Sequence, residues 1–476
     1  MDPAELITVE PAADRLGALF ADAGHRLYLV GGTVRDALLR RPCDDLDFTT
    51  DARPDDVLAL VRPLAQATWT TGITFGTVGV QVQGRRCEIT TFRADSYDRV
   101  SRNPVVAYGD SLVDDLRRRD FTMNAMALSL PQRSFHDPFG GLANLARGLL
   151  RTPATPEESF ADDPLRMLRA ARFVAQLDGV NDVPVDVDAD VFTALQRMAP
   201  ELARISAERV QAELHKLVGG RAPRAGLGLL VESGLAEVVL PELPALRMAV
   251  DEHGQHKDVY AHTLQVLDQA VDLEDDQSGG PDLVLRWAAL LHDIGKPATR
   301  RFESDGRVSF HHHEVVGARM ARQRLKALKC SSDFIDDVCR LVFLHLRFYG
   351  YGDADWTDSA VRRYVTDAGP LLDRLNKLVR SDVTTRNRRK AARLAANYAE
   401  LESRVAQLRE REELDAIRPD LDGNEIMAVL GRPAGPIVGR AYRYLLELRM
   451  EHGPLGKDEA AAELSRWAER ELPPAP

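Results

Sequence analysis

Two aspartates separated by one apolar residue, Asp45-Leu46-Asp47, follow a glycine pair and precede a third acid, Glu88. In an extended segment residues two apart point to the same face, so both aspartates can grip the same metal ions while Leu46 faces a core. Glu88, between Cys87 and Ile89, is placed to complete a two-metal site for in-line phosphoryl transfer. Upstream, the apolar run Leu27 to Val30 stops at Gly31-Gly32, which permits a tight turn into a helix carrying Arg35. Backbone N–H groups and a guanidinium at such a helix start suit a phosphate. Taken singly, these residues also read as an acidic turn and a loop glycine pair; their order is what points to chemistry.

Such acids need a sheet beneath them. Leu27 to Val30 predicts one strand; Val78, Val80 and Val82 alternate up to a turn at Gly84-Arg85, and Arg86 to Phe92 returns in hairpin register. From Leu27 to about Leu150 the chain therefore reads as α/β. After Arg151 strand signals stop and 3.6-period patterns take over, with Pro153, Pro156 and Pro164 marking the change, so the rest reads as all helix. Further seams are expected at Pro241 to Pro244, at Asp275 to Pro281 and near Arg389.

The 476 residues, at roughly 150 per domain, predict about three domains, and 44% hydrophobic content supports several cores. Disorder, collagen and a small disulfide scaffold are excluded. With 62 basic and 73 acidic residues the net charge is −11, which disfavours wholesale coating of nucleic acid; an anionic partner must meet a local basic face. Cys43, Cys87, Cys330 and Cys339 show no metal or disulfide spacing, as in a reducing compartment. Met1 to Phe20 mix Asp, Glu and Pro among apolar positions, without a signal-peptide core. The best apolar run, Leu283 to Leu291, is far short of the ~20 residues of a membrane helix and contains Arg286. The expectation is a cytoplasmic protein with no membrane partner.

The Gly-Gly pair, the arginine three residues on, the acidic pair and the later strand acid together resemble the nucleotidyltransferase superfamily that includes DNA polymerase β. Downstream, Arg118-Arg119-Asp120-Phe121-Thr122-Met123-Asn124-Ala125, Asp137-Pro138-Phe139-Gly140-Gly141 and Asp163-Pro164-Leu165-Arg166-Met167-Leu168-Arg169 resemble the motif series of class II tRNA nucleotidyltransferases. Those enzymes build the CCA end of tRNA, and bacterial poly(A) polymerases are their relatives. The resemblance, over about residues 25 to 220, implies a polymerase β-like α/β head followed by all-α domains. It implies that Gly32, Arg35, Arg119, Asp163, Arg166, Arg169 and Arg172 contact the incoming nucleotide, with magnesium on Asp45 and Asp47. One departure is visible: Asp162 stands where the family usually has Glu.

Asp163 accepts hydrogen bonds and Arg166 donates them, and three residues apart they are neighbours on a helix. Cytosine and adenine each present an amino donor beside a ring-nitrogen acceptor and match that edge; uracil and guanine present a carbonyl beside N–H and leave polar groups unpaired. CTP and ATP would be selected without a template. Arg169 and Arg172 continue the basic stripe, with Met167, Leu168, Ala171 and Val174 on the opposite, buried face. Asp163 before Pro164 is equally a helix start, its carboxylate accepting from the N–H of Arg166. Ile205-Ser206-Ala207-Glu208-Arg209 also resembles a family motif, but reads as capping and solvated charge, with no catalytic role assigned.

Eight of the twelve histidines fall between His253 and His345. His262, His292-Asp293 and Asp382 resemble the HD phosphohydrolase pattern, in which imidazoles and carboxylates hold a divalent transition metal that activates water. His313 and His345 are candidates for a second metal position, while His311 and His312 read as exposed, and His25, His136, His215 and His452 carry no signal. The other reading is a retained HD fold whose histidines cap helices or pair with acids. The resemblance implies phosphoester hydrolysis, including that of cyclic-phosphate RNA ends. The expected order is a head over 1–150, a neck and body with the nucleotide-selecting helix over 151–250, an HD domain over 251–390 and a helical tail over 391–476.

For tRNA, a basic path is expected along Arg362, Arg363, Arg374, Lys377, Arg380, Arg386, Arg388, Arg389, Lys390 and Arg393, the other reading being a solvated helix face. The expected reaction is attack of the tRNA 3′-hydroxyl on the α-phosphorus of CTP or ATP, with pyrophosphate leaving. The rivals are a poly(A) polymerase or an enzyme adding only part of CCA, a regulatory HD nucleotide hydrolase whose head only senses ligands, and an RNA-binding module without chemistry.

Overall fold

The computed structural model describes residues 3–43, 45–93, 108–247, 258–274, 279–304, 308–348, 356–383, 387–412 and 417–472. The chain forms two compact units, Met1–Pro244 and Ala245–Pro476.

The first unit is built on seven strands: β1 (Leu27–Val30), β2 (Asp45–Thr50), β3 (Ala67–Trp69), β4 (Thr77–Val82), β5 (Arg85–Thr91), β6 (Ala127–Leu130) and β7 (Phe135–His136). Their order is β3-β4-β5-β2-β1-β6-β7, and β2 and β5 run parallel while the other neighbours are antiparallel. The alternation in β4 has the expected cause: Val78, Val80 and Val82 are buried together with Cys87, Ile89, Leu46 and Phe48. Leu16 and Phe20 of the helix Pro11–Asp22 and Val57 and Val61 of the helix Pro54–Val61 join the same core. The opposite face is thereby left to Asp45, Asp47, Gly79 and Glu88. The hairpin turn sits one residue earlier than the sequence suggests: Gln83 and Gly84 both have positive φ, as a two-residue type I′ turn requires, and Arg85 already belongs to β5.

After the sheet in the chain, Met167, Leu168, Ala171 and Val174 of the helix Leu165–Leu177 are buried. This helix packs against the helices Ala207–Val218 and Pro223–Glu232. A Cβ at Gly226 would lie 2.5 Å from the Ala171 carbonyl oxygen, so glycine sets how closely two of these backbones approach. The expectation of helix alone after Arg151 needs correcting, because Asp186–Val187 pairs in parallel with Leu149–Leu150 and Arg301–Phe302 pairs with Val308–Ser309. Two-residue strands are too short to show a period.

The described residues of the second unit are helical or loop apart from that strand pair. Val259–Asp272, Leu283–Leu291, His313–Ala327, Ser332–Leu344 and Leu372–Ser381 surround a set of histidines and aspartates. The helices Gly423–Leu430, Pro436–His452 and Lys457–Glu471 close over their own core of Ile426, Ala441, Leu445, Leu464 and Trp467. Among the described residues no helix is long and apolar enough to cross a membrane.

Candidate active site

The parallel register of β2 and β5 sets Asp47 opposite Glu88 and Asp45 opposite Arg86. Leu46 is buried between the two aspartates, as the spacing predicts. Thr33, in the first turn of the helix Gly32–Leu38, accepts the Asp47 N–H at 2.9 Å and donates to the Asp45 carbonyl at 3.3 Å, tying the glycine turn to the acid strand. Gly31 has φ +66°, and a Cβ there would meet Arg119 Nη1 at 3.0 Å and Asp47 Oδ2 at 3.6 Å. Burial, with Glu88 and Asp45 nearby, pushes the Asp47 carboxyl up to about 6 against the pull of Arg119 and Arg35. Carboxylates crowded in this way suit a divalent cation, which would relieve the repulsion that raises Asp47.

A cleft of about 500 Å³ opens beside these acids. Gly32, Arg35, Asp47, Glu88, Arg119, Asp163, Arg166, Arg169 and Arg172 all line it, so the cleft gathers every nucleotide-contact residue expected from the sequence. Asp45 is exposed beside it, with Arg86 Nε 3.7 Å from its Oδ1.

Buried acids hold the arginines in place. Asp120 accepts from Arg169 Nε at 2.8 Å, from Asn124 Nδ2 at 3.0 Å and from the Phe121 N–H at 2.8 Å. Burial opposes its charge, yet Arg169 and these donors hold it well below the usual carboxylate range. Asn124 in turn accepts from Arg35 Nη1 at 2.7 Å. Arg172 Nε lies 2.6 Å from Glu213 Oε2, and burial together with the neighbouring Arg169 lowers Arg172 to about 10. Arg119 pairs with the fully buried Asp115 at 3.3 Å, which also holds Arg118 at 2.9 Å. Arg35, Arg169 and Arg172 lie 5.2, 5.5 and 4.0 Å from the centroid of the buried Phe173 ring, which gathers three cations on one aromatic residue.

Asp163 does not cap the helix through the Arg166 N–H; its Oδ1 accepts from the Leu165 N–H at 3.1 Å, because Asp163 itself is extended and the helix begins at Leu165. Its Oδ2 accepts from Arg209 Nη2 at 2.7 Å. Arg166 donates to the Ser159 carbonyl and hydroxyl and to the Arg118 carbonyl, at 3.2, 2.9 and 2.6 Å. Acceptor and donor are thus each anchored by a third group. Sequence reasoning gave Arg118, Asp120 and Asn124 no role although they stand inside a quoted motif, and set Arg209 aside as solvated charge. Asp115, Phe173 and Glu213 carried no sequence signal of their own.

In the second unit, His262 Nε2 lies 3.0 Å from Asp382 Oδ1 and 3.5 Å from Asp293 Oδ2. His292 Nε2 is 3.2 Å from Asp293 Oδ2, and His313 Nε2 is 3.3 Å from Asp293 Oδ1. His262, His292 and Asp293 form one possible ligand triad, and Asp293, His313 and His345 a second. The Nδ1 atoms of His292, His313 and His345 bond the carbonyls of Ala289, Phe310 and Val342 at 2.8, 2.8 and 2.6 Å. That tautomer turns each buried Nε2 lone pair inward, where no donor meets it among the described residues. Burial and the neighbouring His292 push His345 down to about 4, so it stays neutral as a ligand must. The donor set fits a divalent metal, with Lys296 Nζ, 2.6 Å from Asp293 Oδ2, as a competing cation. His311 and His312 are exposed.

The expected basic path is largely spent on ion pairs. Arg362 is buried on Glu412 at 2.7 Å, Arg363 pairs with Glu447 and Glu451, Arg374 with Asp282 at 2.7 Å, Lys377 with Asp373 at 2.9 Å and Arg380 with Glu402 at 2.6 Å. Arg389 is exposed at the start of the helix Arg388–Glu412, which also carries Arg393. Arg386 and the side chains of Arg388 and Lys390 lie outside the described residues.

A mixed sheet that faces Asp47 with Glu88 beside an arginine-lined cleft is the head of a polymerase β-like nucleotidyltransferase, here on one chain with an HD-type cluster. Residues 27–151 match the poly A polymerase head domain, 185–246 the probable RNA and SrmB-binding site of polymerase A, and 259–387 the HD domain. The chain is 36% identical over 447 residues to the A-adding tRNA nucleotidyltransferase of Deinococcus radiodurans, spanning 93% of this chain and 95% of that protein. It is 43% identical over 280 residues to the CCA-adding enzyme of Geobacillus stearothermophilus, spanning 59% and 62%. The crystal structure of the Bacillus stearothermophilus CCA-adding enzyme in complex with CTP superposes with a TM-score of 0.70 at 26% identity, over 97% of this chain and 99% of that one. The protein belongs to the tRNA nucleotidyltransferase and poly(A) polymerase family.

Proposed function

We propose that the protein adds C, C and A to the 3′ end of tRNA from CTP and ATP, without a template and with release of pyrophosphate. The observation that carries this is the pairing of Asp47 with Glu88 on the edge of a cleft whose wall bears Arg119, Asp163, Arg166, Arg169 and Arg172. Magnesium held by Asp45 and Asp47, with Glu88 beside them, would activate the 3′-hydroxyl and neutralise charge on the transferring phosphorus. Gly32 and the guanidiniums of Arg35 and Arg119 bind the triphosphate; Arg169 and Arg172, fixed by Asp120 and Glu213, orient the nucleotide against Phe173. Asp163 and Arg166 offer an acceptor and a donor that suit cytosine and adenine. The same reading keeps the division into head, neck and body, HD domain and tail at 1–150, 151–250, 251–390 and 391–476, and places the reaction in the cytoplasm.

A second reading has its own observation: the relative aligned over 93% of this chain is an A-adding enzyme, so terminal A addition alone is the rival. Supplying tRNA that ends before CCA, after C and after CC, with CTP and ATP singly and together, separates the two. CCA addition extends all three; A addition extends only the last.

For the HD cluster we propose a divalent transition metal on His262, His292, Asp293 and Asp382, with His313 and His345 at a second position, and hydrolysis of phosphoesters. Metal analysis of the purified protein, followed by assay on phosphomonoesters and cyclic phosphodiesters, tests it.

A further inference from the structure

Three successive strand pairings align four residues across the head sheet. Trp69 on β3 stands opposite Gly79 on β4, Gly79 opposite Glu88 on β5, and Glu88 opposite Asp47 on β2. Paired residues share a face, and the other face is filled by Val78, Val80, Cys87 and Ile89, so this row lies on the face that carries the acids. A Cβ on Gly79 would fall 1.9 Å from Trp69 Cε2 and Nε1, so the indole lies directly over the bare β4 backbone. Its ring is then about one strand spacing, roughly 5 Å, from the strand that carries Glu88. Trp69 is part-exposed, and the exposed Arg86 rests with Cζ 5.3 Å from its ring centroid.

The ring lies outside the nucleotide cleft. The cleft is lined by Gly31, Gly32 and the helix Leu165–Leu177 and reaches Glu88 and Thr90 on β5, whereas Trp69 stands on β3, two strands beyond β5, and does not line it. In-line displacement places the attacking oxygen and the leaving pyrophosphate on opposite sides of the α-phosphorus. A nucleotide held by Gly32 and the arginines of the helix Leu165–Leu177 therefore leaves the β3 end of the row for the attacking RNA. We infer that Trp69 is the platform on which the 3′-terminal base of that RNA stacks, with Arg86 supplying a cation for the adjoining phosphate. The inference rests on the proposed function for the nature of the acceptor. Stacking also suits an acceptor whose terminal base changes between additions, because an aromatic face takes any base, whereas a hydrogen-bonding pocket would reject some. Trp69 is a positioning residue; it touches the acceptor and not the reacting atoms.

The test compares Trp69→Ala, Trp69→Leu and Trp69→Phe with the unaltered chain, measuring KM for tRNA lacking its CCA end, KM for CTP, kcat and the melting temperature. Trp69→Ala and Trp69→Leu should raise KM for tRNA on the order of 10- to 100-fold, Trp69→Phe by no more than about threefold, with KM for CTP unchanged throughout. A Leu variant that performs like Phe, or a loss that falls on CTP instead of tRNA, overturns the inference. An arm independent of turnover measures quenching of tryptophan fluorescence by an acceptor-stem RNA. Quenching lost in Trp69→Phe supports the platform, and quenching equal to that of the unaltered chain overturns it. If the unaltered chain extends no RNA, the proposed function falls while this second arm still decides the role of Trp69.

Discussion

Replacing Asp163 by Asn separates base reading from helix capping, because the two carboxylate oxygens have different partners. Oδ1 accepts from the Leu165 N–H, and Asn is as good a cap as Asp, so that bond survives at little cost. The Arg209 pair on Oδ2 is partly exposed, with 51% and 26% of the two side chains accessible, so its loss contributes less than ~1 kcal/mol to stability. What changes is the second position, where an acceptor for the amino group of cytosine or adenine becomes an NH₂ donor. A hydrogen bond to a charged group is worth ~1.5–3 kcal/mol, so kcat/KM for CTP and ATP should fall about 10- to 100-fold. UTP and GTP, which present a carbonyl at that position, should lose less or gain. The assay is kcat/KM for all four nucleotides on tRNA lacking its end, with Asp163→Ser as a second variant that keeps a cap and shortens the reach. An equal fall for all four nucleotides, or no change, would show that Asp163 serves only the helix.

Asp45→Ala and Asp47→Ala should each abolish nucleotide addition while leaving tRNA binding intact; residual turnover near that of the unaltered chain would remove these acids from the reaction. Because Asp47 is raised to about 6 and must be ionised to bind a cation, the affinity of the head for magnesium should be flat above that pH and fall about tenfold per unit below it, measured by calorimetric titration; affinity constant down to pH 5 would contradict the assignment. His292→Ala should lower the transition metal bound to the purified protein and any phosphoester hydrolysis, with nucleotide addition unchanged. Metal content equal to that of the unaltered chain would make the cluster structural.

The strands were legible where one face is buried, because Val78, Val80 and Val82 repeat with the period of the pleat. The Asp45 and Asp47 pair was legible for the same reason. That Glu88 faces Asp47 depends on a parallel pairing across 41 residues, which alternation cannot reveal. Arg209 was missed because Ser206 does cap its helix, accepting from the Arg209 N–H, and the local explanation hid a partner 46 residues away. The five basic residues from Arg362 to Arg380, Lys377 among them, misled for the converse reason. Their charge is local, but the acids that neutralise four of those five positions, among them Asp282, Glu402, Glu412 and Glu451, are 22 to 92 residues distant. Histidine density marked the second cluster, while the Nδ1 bonds that aim each lone pair inward depend on the helix ends at Ala289 and Val342 and on the loop at Phe310.

CCA addition itself is decided by sequencing the 3′ ends of tRNA transcripts lacking CCA after incubation with the purified protein, CTP, ATP and magnesium. The expected result is ends completed to CCA and no further, with no extension when magnesium is chelated. Ends left unextended, or homopolymeric A tails on unrelated RNA, would contradict it.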